Sequence, residues 1–491
     1  MRYISTRDNS SALPSARAID LGMVPAGGLF VPEEIPALPE VKPGESYQET
    51  AVKVLSPFLS DFSEDEVASC VNNAYTGESF DVPGVIELAQ IGSGKFVLEL
   101  WHGPTAAFKD VALQIMPQFM KFAKVKSGNS SHTLILVATS GDTGKAALEG
   151  FRDTQGISIV VFYPHGGVSE IQKLQMATTE GANTHVVAVK GNFDDCQSGV
   201  KELFGDEQLR KAAAEHNVVF SSANSINWGR LCPQIVYYVK SYFDLVEKGK
   251  ITSGEKIDFC VPTGNFGNIL AGYYAKEMGL PVRRLICASN KNKVLTDFFK
   301  TGVYDRNRSF HRTMSPSMDI LISSNLERFL FEITGHDARM VNRLYAELSE
   351  TGKFDVGDWV RNRMASLVEA DWVSEEEVLN TIGTTFKEFG YVLDTHTAVA
   401  VAAANRLSDD GTPVVIASTA SPYKFSGDVL AGLGGEKPLD EFESINMLRN
   451  RSNTPVHRAV DGLRQKAVRH DEVIQIEKMR ETVQGIIGTV S

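Results

Sequence analysis

No two of the five cysteines in this chain, Cys70, Cys196, Cys232, Cys260 and Cys287, stand close enough in sequence to form a CxxC pair. An odd count of scattered thiols excludes a zinc ribbon or a dithiol redox site. It fits a reducing, cytoplasmic compartment in which such residues serve as small core side chains. An excess of positive charge is also missing: 49 Lys and Arg against 61 Asp and Glu leave a formal net charge of −12. That balance argues against a general binder of nucleic acid or of anionic membranes, which needs basic patches to release counterions. No uncharged apolar run reaches the roughly 18 residues of a membrane span. The opening MRYISTRDNS lacks the apolar core of a secretory signal. Internal repeats and low-complexity blocks are absent too. What is present is 491 residues, 43% hydrophobic and 22% charged, enough to bury sizeable cores in roughly two to four domains. These bounds describe a large soluble protein of enzyme type.

Along the chain, the first ninety or so residues are Pro-rich and then helical in pattern, with Ser63 and Glu66 spaced as a capping box. Beyond them short apolar runs alternate with helical stretches. KFVLELW (95–101), TLILVATS (133–140), ISIVVFYP (157–164), THVVAVKG (184–191), NVVFSS (217–222), KIDFCVPT (256–263), RRLICAS (283–289) and TPVVIAST (412–419) read as strands. Continuous apolar runs are the mark of strands covered on both faces, and helical crossovers between them imply parallel sheets, so the fold class is α/β. Residues 305–385 differ: NLERFLFEITG, DARMVNRLYAELSETG and DWVRNRMASLVEADWV read as amphipathic helices of an insertion. The tail from about 436, including VIQIEKMRETVQGIIG, reads as a helix whose charges form a solvated face.

Four segments could carry chemistry, because ligands in open parallel sheets bind beyond the carboxyl ends of strands. In VATSGDTGKAALEGF (137–151), Thr139, Ser140, Asp142 and Thr143 offer hydroxyls, a carboxylate and free amides. Two residues separate Gly141 from Gly144 where a P-loop needs four, and Lys145 precedes Ala rather than Ser or Thr, so this is not a nucleotide loop. In CVPTGNFGNILAGYYAKEMG (260–279), Gly264 and Gly267 let successive amides turn toward an anion, with Asn265 and Asn268 as neutral donors. With no cation in the loop, it suits a permanently bound phosphate ester held by amides and helix dipole. VVIASTASPYKFSGDVL (414–430) ends a buried strand in Ser418 and Thr419. In LELWHGPTAAFKDVALQ (98–114), Lys109 lies among Ala106, Ala107, Phe108, Val111 and Ala112, where burial would lower its pKa and free it to form a Schiff base. Taken singly, each segment could equally be a capped helix start or a snorkelling lysine.

Together they resemble the pyridoxal-phosphate enzymes of the tryptophan-synthase-β fold type (fold type II), and within it the threonine synthase family. The matching pieces, in order, are YISTR, LELWHGPTAAFKD, ATSGDTGKAA, ANSINWGR (223–230), PTGNFGNILAG and STASPYKF, spanning residues 3–426. The resemblance implies that Lys109 carries pyridoxal 5'-phosphate and that Gly264, Asn265, Phe266, Gly267 and Asn268 cradle its phosphate. Thr419, with Ser418 as the alternative, would meet the pyridine nitrogen, a neutral partner that favours elimination and replacement over transamination. Thr139, Ser140, Asp142, Thr143, Asn224, Ser225, Asn227 and Arg230 are the expected substrate-binding set. Asp142 stands where the wider fold type has Asn, which leaves open whether it faces cofactor or substrate. His102 is read as structural rather than as a site residue, and no metal site is expected.

The implied reaction converts O-phospho-L-homoserine and water to L-threonine and phosphate, the last step of threonine biosynthesis. The resemblance also implies two open parallel-type sheets, divided into a large cofactor domain (91–130 and 250–435, with the insertion) and a small mobile one (131–249). A 1–90 N-terminal segment and a 436–491 tail flank them. The closest rivals are a serine/threonine dehydratase or another replacement enzyme of fold type II, disfavoured by YISTR, Asp142 and the insertion. A non-catalytic homologue is disfavoured by the intact Lys109. No regulatory N-terminal region is expected, and a monomer is favoured over a homodimer.

Overall fold

The computed structural model describes the whole chain apart from Ser140, Asp409, Ser491 and the side chain of Asp194. The chain opens with a small antiparallel sheet of β1 (Arg2–Ser5), β2 (Leu13–Pro14) and β3 (Phe30–Pro32). Helices Tyr47–Leu55 and Glu64–Ala74 follow, the second started by the Ser63–Glu66 capping box that the spacing predicts. The hairpin β4 (Glu87–Gln90) and β5 (Lys95–Glu99) then begins a six-stranded sheet. After helix Lys109–Lys126 the chain moves to a second sheet through β6 (His132–Ala138), β7 (Ile157–Pro164), β8 (Thr184–Lys190) and β9 (Val218–Ser221). It returns to the first sheet with β10 (Ile257–Pro262) and β11 (Val282–Ser289), and makes an antiparallel pair of β12 (Val303–Asp305) with β13 (Lys353–Asp355). β14 (Val368–Trp372) and β15 (Val414–Ser418) complete the first sheet, and β16 (Val473–Gln475) goes back to the second.

The larger sheet runs β14-β11-β10-β15-β5-β4, parallel except at β4. The smaller runs β16-β8-β7-β6-β9 and is parallel throughout. Every residue of β7, β10 and β15 is buried, as the continuous apolar runs require. Among the described residues no helix is long and apolar enough to cross a membrane.

Two expectations need correction. The insertion is not wholly helical: VEADW, read as the end of an amphipathic helix, is the edge strand β14, paired in parallel with β11. Nor is the tail only a solvated helix. β16 pairs with β8, and Met479, Val483, Ile486 and Ile487 of the closing helix are buried with Leu134, Leu136, Val160 and Phe162 of the smaller sheet.

Chain order reverses direction within each sheet. In the larger, β10 leads outward to β11 and β14, while β15 and β5 lie on its other side. In the smaller, β7 and β8 lie on one side of β6 and β9 on the other. Crevices open at the carboxyl ends of strands at such points. The loops there are the GNFGN turn after β10, Thr419 after β15, the approach to Lys109 after β5, the Thr139–Thr143 turn after β6 and the 222–230 loop after β9.

Candidate active site

Lys109 opens its helix, and the loop before it is fastened at both ends. The Asp110 carboxylate accepts from the amide and hydroxyl of Thr105 at 2.9 and 2.7 Å, folding HGPTAAF back onto the first helical turn. A Cβ on Gly103 would meet that of Asp110 at 2.3 Å, so only glycine fits. The Phe108 amide donates to the Thr419 carbonyl at 2.9 Å and the Ser421 amide to that of Ala106 at 3.1 Å, which sets Lys109 beside the end of β15. Its ammonium has no hydrogen-bond or ion-pair partner among the described residues, and it lies 5.9 Å from the centre of the Phe108 ring. Burial, with Arg230 and Lys424 nearby, lowers its pKa to about 8 against the pull of Asp142 and Asp110, so an appreciable share of the amine is neutral near pH 7–8.

The GNFGN turn is built as an anion cradle. Phe266 takes a left-handed conformation (φ 59°), held by packing against Phe299 and Phe329 at 5.6 and 5.2 Å. The carbonyls of Gly264 and Asn265 turn outward, accepting from Ser323 Oγ and the Asn325 amide. Among the described residues the amides of Asn265, Phe266, Gly267, Asn268 and Ile269 find no acceptor, and the last three lie in the first turn of helix Gly267–Met278, where dipole and free N–H groups coincide. Asn268 Oδ1 accepts from the hydroxyls of Tyr237 and Tyr238 at 2.6 and 2.7 Å, leaving buried Nδ2 as an unpaired donor. A Cβ on Gly267 would lie 3.2 Å from that of Ser225, so the 222–230 loop closes one side of the cradle.

That loop is positioned from afar. Arg328, fully buried, donates to the carbonyls of Phe30, Ser225 and Ile226 and to Asn325 Oδ1. Thr6 and Arg7 of YISTR bind its neighbour Glu327 at 2.6 and 2.9 Å, and Tyr3 packs on Trp228 at 5.3 Å. The sequence does not single out Arg328 or Glu327: NLERFLFEITG reads only as an amphipathic helix, and nothing local marks them. Arg230 is 5% exposed, gives one hydrogen bond to the Ala223 carbonyl and leaves Nε unpaired, with no counter-ion among the described residues. Burial pushes its pKa down to about 10.

The remaining expected residues divide. Asn224 and Thr143 are partly exposed with side chains free to meet a ligand, and Ser225 Oγ accepts from Asn325. Asn227 is different: fully buried, its oxygen caps Gly229 and its nitrogen donates to the carbonyls of Ile19 and Ser222, so its amide is engaged in holding the loop. Thr139 Oγ1 accepts from the amides of Gly141 and Gly144, shaping its turn. Ser140 lies outside the described residues. Ser418 Oγ accepts from Trp101 Nε1 and contacts Thr397 Oγ1, whereas no protein group binds the Thr419 hydroxyl among the described residues. Asp142 meets Lys424 at 2.6 Å, Gln172 Nε2 at 2.9 Å and Ser317 Oγ at 3.2 Å. Burial alone would raise its pKa, but Lys424 and Lys109 hold it well below the usual carboxylate range.

His102 faces away from these groups. Its ring nitrogens bind Asp81 and Glu99 at 2.8 and 2.9 Å. Burial would lower its pKa, but the two carboxylates raise it to about 9. Glu87, Glu99 and His102 bring ligand-type atoms within 4.8 Å of one another. The site proper therefore gathers the partly exposed Lys109 amine and two buried cations, Arg230 and Lys424, with the buried carboxylates of Asp142 and Asp110, around a phosphate-type cradle.

Family models and known proteins match the chain along most of its length. Residues 2–75 match the family described as threonine synthase N terminus, residues 87–419 that of pyridoxal-phosphate dependent enzymes, and residues 397–486 that of threonine synthase, C-terminal. The chain is 43% identical over 482 residues to Threonine synthase-like 1 of Homo sapiens, an alignment that takes in 93% of this chain and 64% of that protein. It therefore spans less than two thirds of that relative's length. It is 39% identical over 459 residues to the threonine synthase of Schizosaccharomyces pombe, covering 86% and 87% of the two chains. The crystal structure of pyridoxal-phosphate-bound threonine synthase from Brucella melitensis superimposes with a TM-score of 0.86 at 35% identity, over 100% of this chain and 99% of that one.

Proposed function

We propose that this chain, which belongs to the threonine synthase family of pyridoxal-phosphate-dependent enzymes, converts O-phospho-L-homoserine and water to L-threonine and phosphate. Its cofactor is pyridoxal 5'-phosphate, and the residues present fit it: the free amides of the GNFGN turn and Asn268 Nδ2 for the phosphate, and the unpaired Lys109 amine for covalent attachment. Bound there, the group supplies an electron sink that stabilises negative charge on the carbons of an amino-acid substrate. Thr419 is the residue we assign to the ring nitrogen, since Ser418 Oγ is already engaged by Trp101 and Thr397. With the cofactor and substrate bound, the Lys109 amine would be a tethered base for the α-carbon proton and then for the β-carbon, its depressed pKa suiting both removal and return of a proton.

The observation that carries the substrate is one buried guanidinium with no counter-ion among the described residues. Arg230, almost wholly buried without a counter-ion, needs an anion. A substrate with a carboxylate and a phosphate dianion brings more negative charge than the simple serine or threonine of the dehydratase alternative. Arg230, Asn224, Ser225 and Thr143 would orient it and steady the departing phosphate. We further propose that the chain acts in the cytoplasm, where its unpaired thiols remain reduced.

The test is joint release of phosphate and threonine from O-phospho-L-homoserine by purified holoenzyme, with cofactor absorbance followed throughout. Lys109→Ala should lose the protein-bound cofactor band and at least about a thousandfold in rate. Turnover of serine or threonine with no phosphate released from O-phospho-L-homoserine would move the function to the dehydratase.

A further inference from the structure

One charged side chain near Lys109 has no part in the chemistry above. Lys424 lies in the short helical turn Pro422–Phe425 after β15, and its side chain is 0% exposed. It donates to the Thr105 carbonyl at 3.0 Å and pairs with Asp142 at 2.6 Å. These two partners belong to different sheets. Thr105 is in the loop that leads into Lys109, after β5 of the larger sheet. Asp142 begins the helix after β6 of the smaller one, with Thr143 next to it in the first helical turn. The other ligands of the Asp142 carboxylate come from the smaller sheet's helix Glu170–Ala177 (Gln172) and from the insertion (Ser317).

We propose that Lys424 is a positioning residue: by clasping Asp142 it holds the substrate-binding turn of the smaller sheet against the loop that carries Lys109. The proposal rests on the reaction assigned above. A lysine buried this completely is retained only with a partner that returns its desolvation, and the partner here lies across the crevice. The clasp also limits the field at Lys109. Arg230 and Lys424 oppose its charge, Asp142 and Asp110 favour it, and the pair brings Asp142 and Lys424 in together with opposite effects. Lys424 touches neither Lys109 nor the GNFGN turn by any hydrogen bond among the described residues, so its effect passes through Asp142 and Thr105.

The experiment compares holoenzyme of Lys424→Met, Lys424→Arg, Asp142→Asn and the double variant K424M/D142N. Its readouts are kcat, KM, cofactor absorbance, and hydrogen exchange of residues 139–151. A second probe is the phosphonate isostere of the substrate, in which CH2 replaces the ester oxygen. Lys424→Met should keep the cofactor band, raise KM and weaken isostere binding at least about tenfold, and speed exchange at residues 139–151. Lys424→Arg, which keeps the charge, should restore part of the loss. The double variant should be no worse than either single one, because the two residues act as one contact. If Lys424→Met leaves an uncompensated Asp142 and fails to fold, the double variant, with neither charge, carries the test alone. Wild-type KM and exchange in Lys424→Met or in the double variant, or losses that multiply in the double variant, would overturn the clasp. Failure of wild-type enzyme to release phosphate would overturn the assigned reaction instead, and exchange at 139–151 would still report on the clasp.

Discussion

Arg230 shows what a buried charge without a counter-ion does to a protein that waits for its ligand. Desolvation of its guanidinium opposes folding, and the single bond to Ala223 returns little of it. Arg230→Met should therefore stabilise the substrate-free holoenzyme by about 1 kcal/mol while raising KM for O-phospho-L-homoserine at least about tenfold. Thermal midpoints beside steady-state kinetics check both signs, and a destabilised variant would mean that the guanidinium has an internal partner after all. Arg230 is legible in the sequence because it sits within ANSINWGR, next to Asn and Ser donors. Lys424 is also inside a recognisable stretch, STASPYKF, yet its role is not legible there. A lysine in a polar turn reads as solvated, and only its pairing with Asp142, which lies far off in sequence on the other sheet, buries it. Asn227 fails the other way: its residue type suits a ligand, but the nearest unpaired amide and carbonyls, those of Gly229, Ile19 and Ser222, claim it.

Among elements, those buried on both faces are the ones that sequence pattern captures. ISIVVFYP is β7 at its expected bounds, with all eight residues buried. Of the edge strands, β9 is read from NVVFSS, whereas β14 and β16 escape. In β14 only two of five residues are buried, and in β16 none is, so neither shows the continuous apolar run of a central strand. The closing helix Met479–Thr489 anchors β16 through a narrow stripe, Met479, Val483, Ile486 and Ile487. Val483 is 0% exposed in that stripe. Val483→Asp should destabilise the protein by about 3 kcal/mol or more. Faster hydrogen exchange confined first to β8 and β16 would locate the damage, whereas uniform loss across both sheets would contradict a local anchor.

At the scale of the molecule, His102 ties together parts of the chain that neither sheet joins. Asp81 comes from the segment after the N-terminal helices and Glu99 from the end of β5; Trp101 stacks on the imidazole at 4.3 Å, and His457 from the tail approaches Asp81 at 3.3 Å. His457 stays neutral, its pKa pushed down to about 4 chiefly by burial. For His102 the folded pKa of about 9 lies above the unfolded value of 6.5. Its contribution is therefore complete below about pH 6.5 and fades as pH rises through 9. The gap in thermal midpoint between wild type and His102→Gln should be widest near pH 6 and close by about pH 9.5. A gap that stays constant over that range would show that the imidazole is neutral in the folded protein.

The pairing of β16 with β8 bears on how the chain is made. A ribosome completes β6, β7, β8 and β9 long before it reaches Val473. Until the far segment emerges, the outer edge of β8 offers its bare backbone groups, and the apolar cluster beneath waits for Met479, Val483 and Ile486. Exposed edges of this kind recruit other chains. The interval of greatest risk in the life of this molecule thus falls during its synthesis, between the birth of one strand and the arrival of its neighbour.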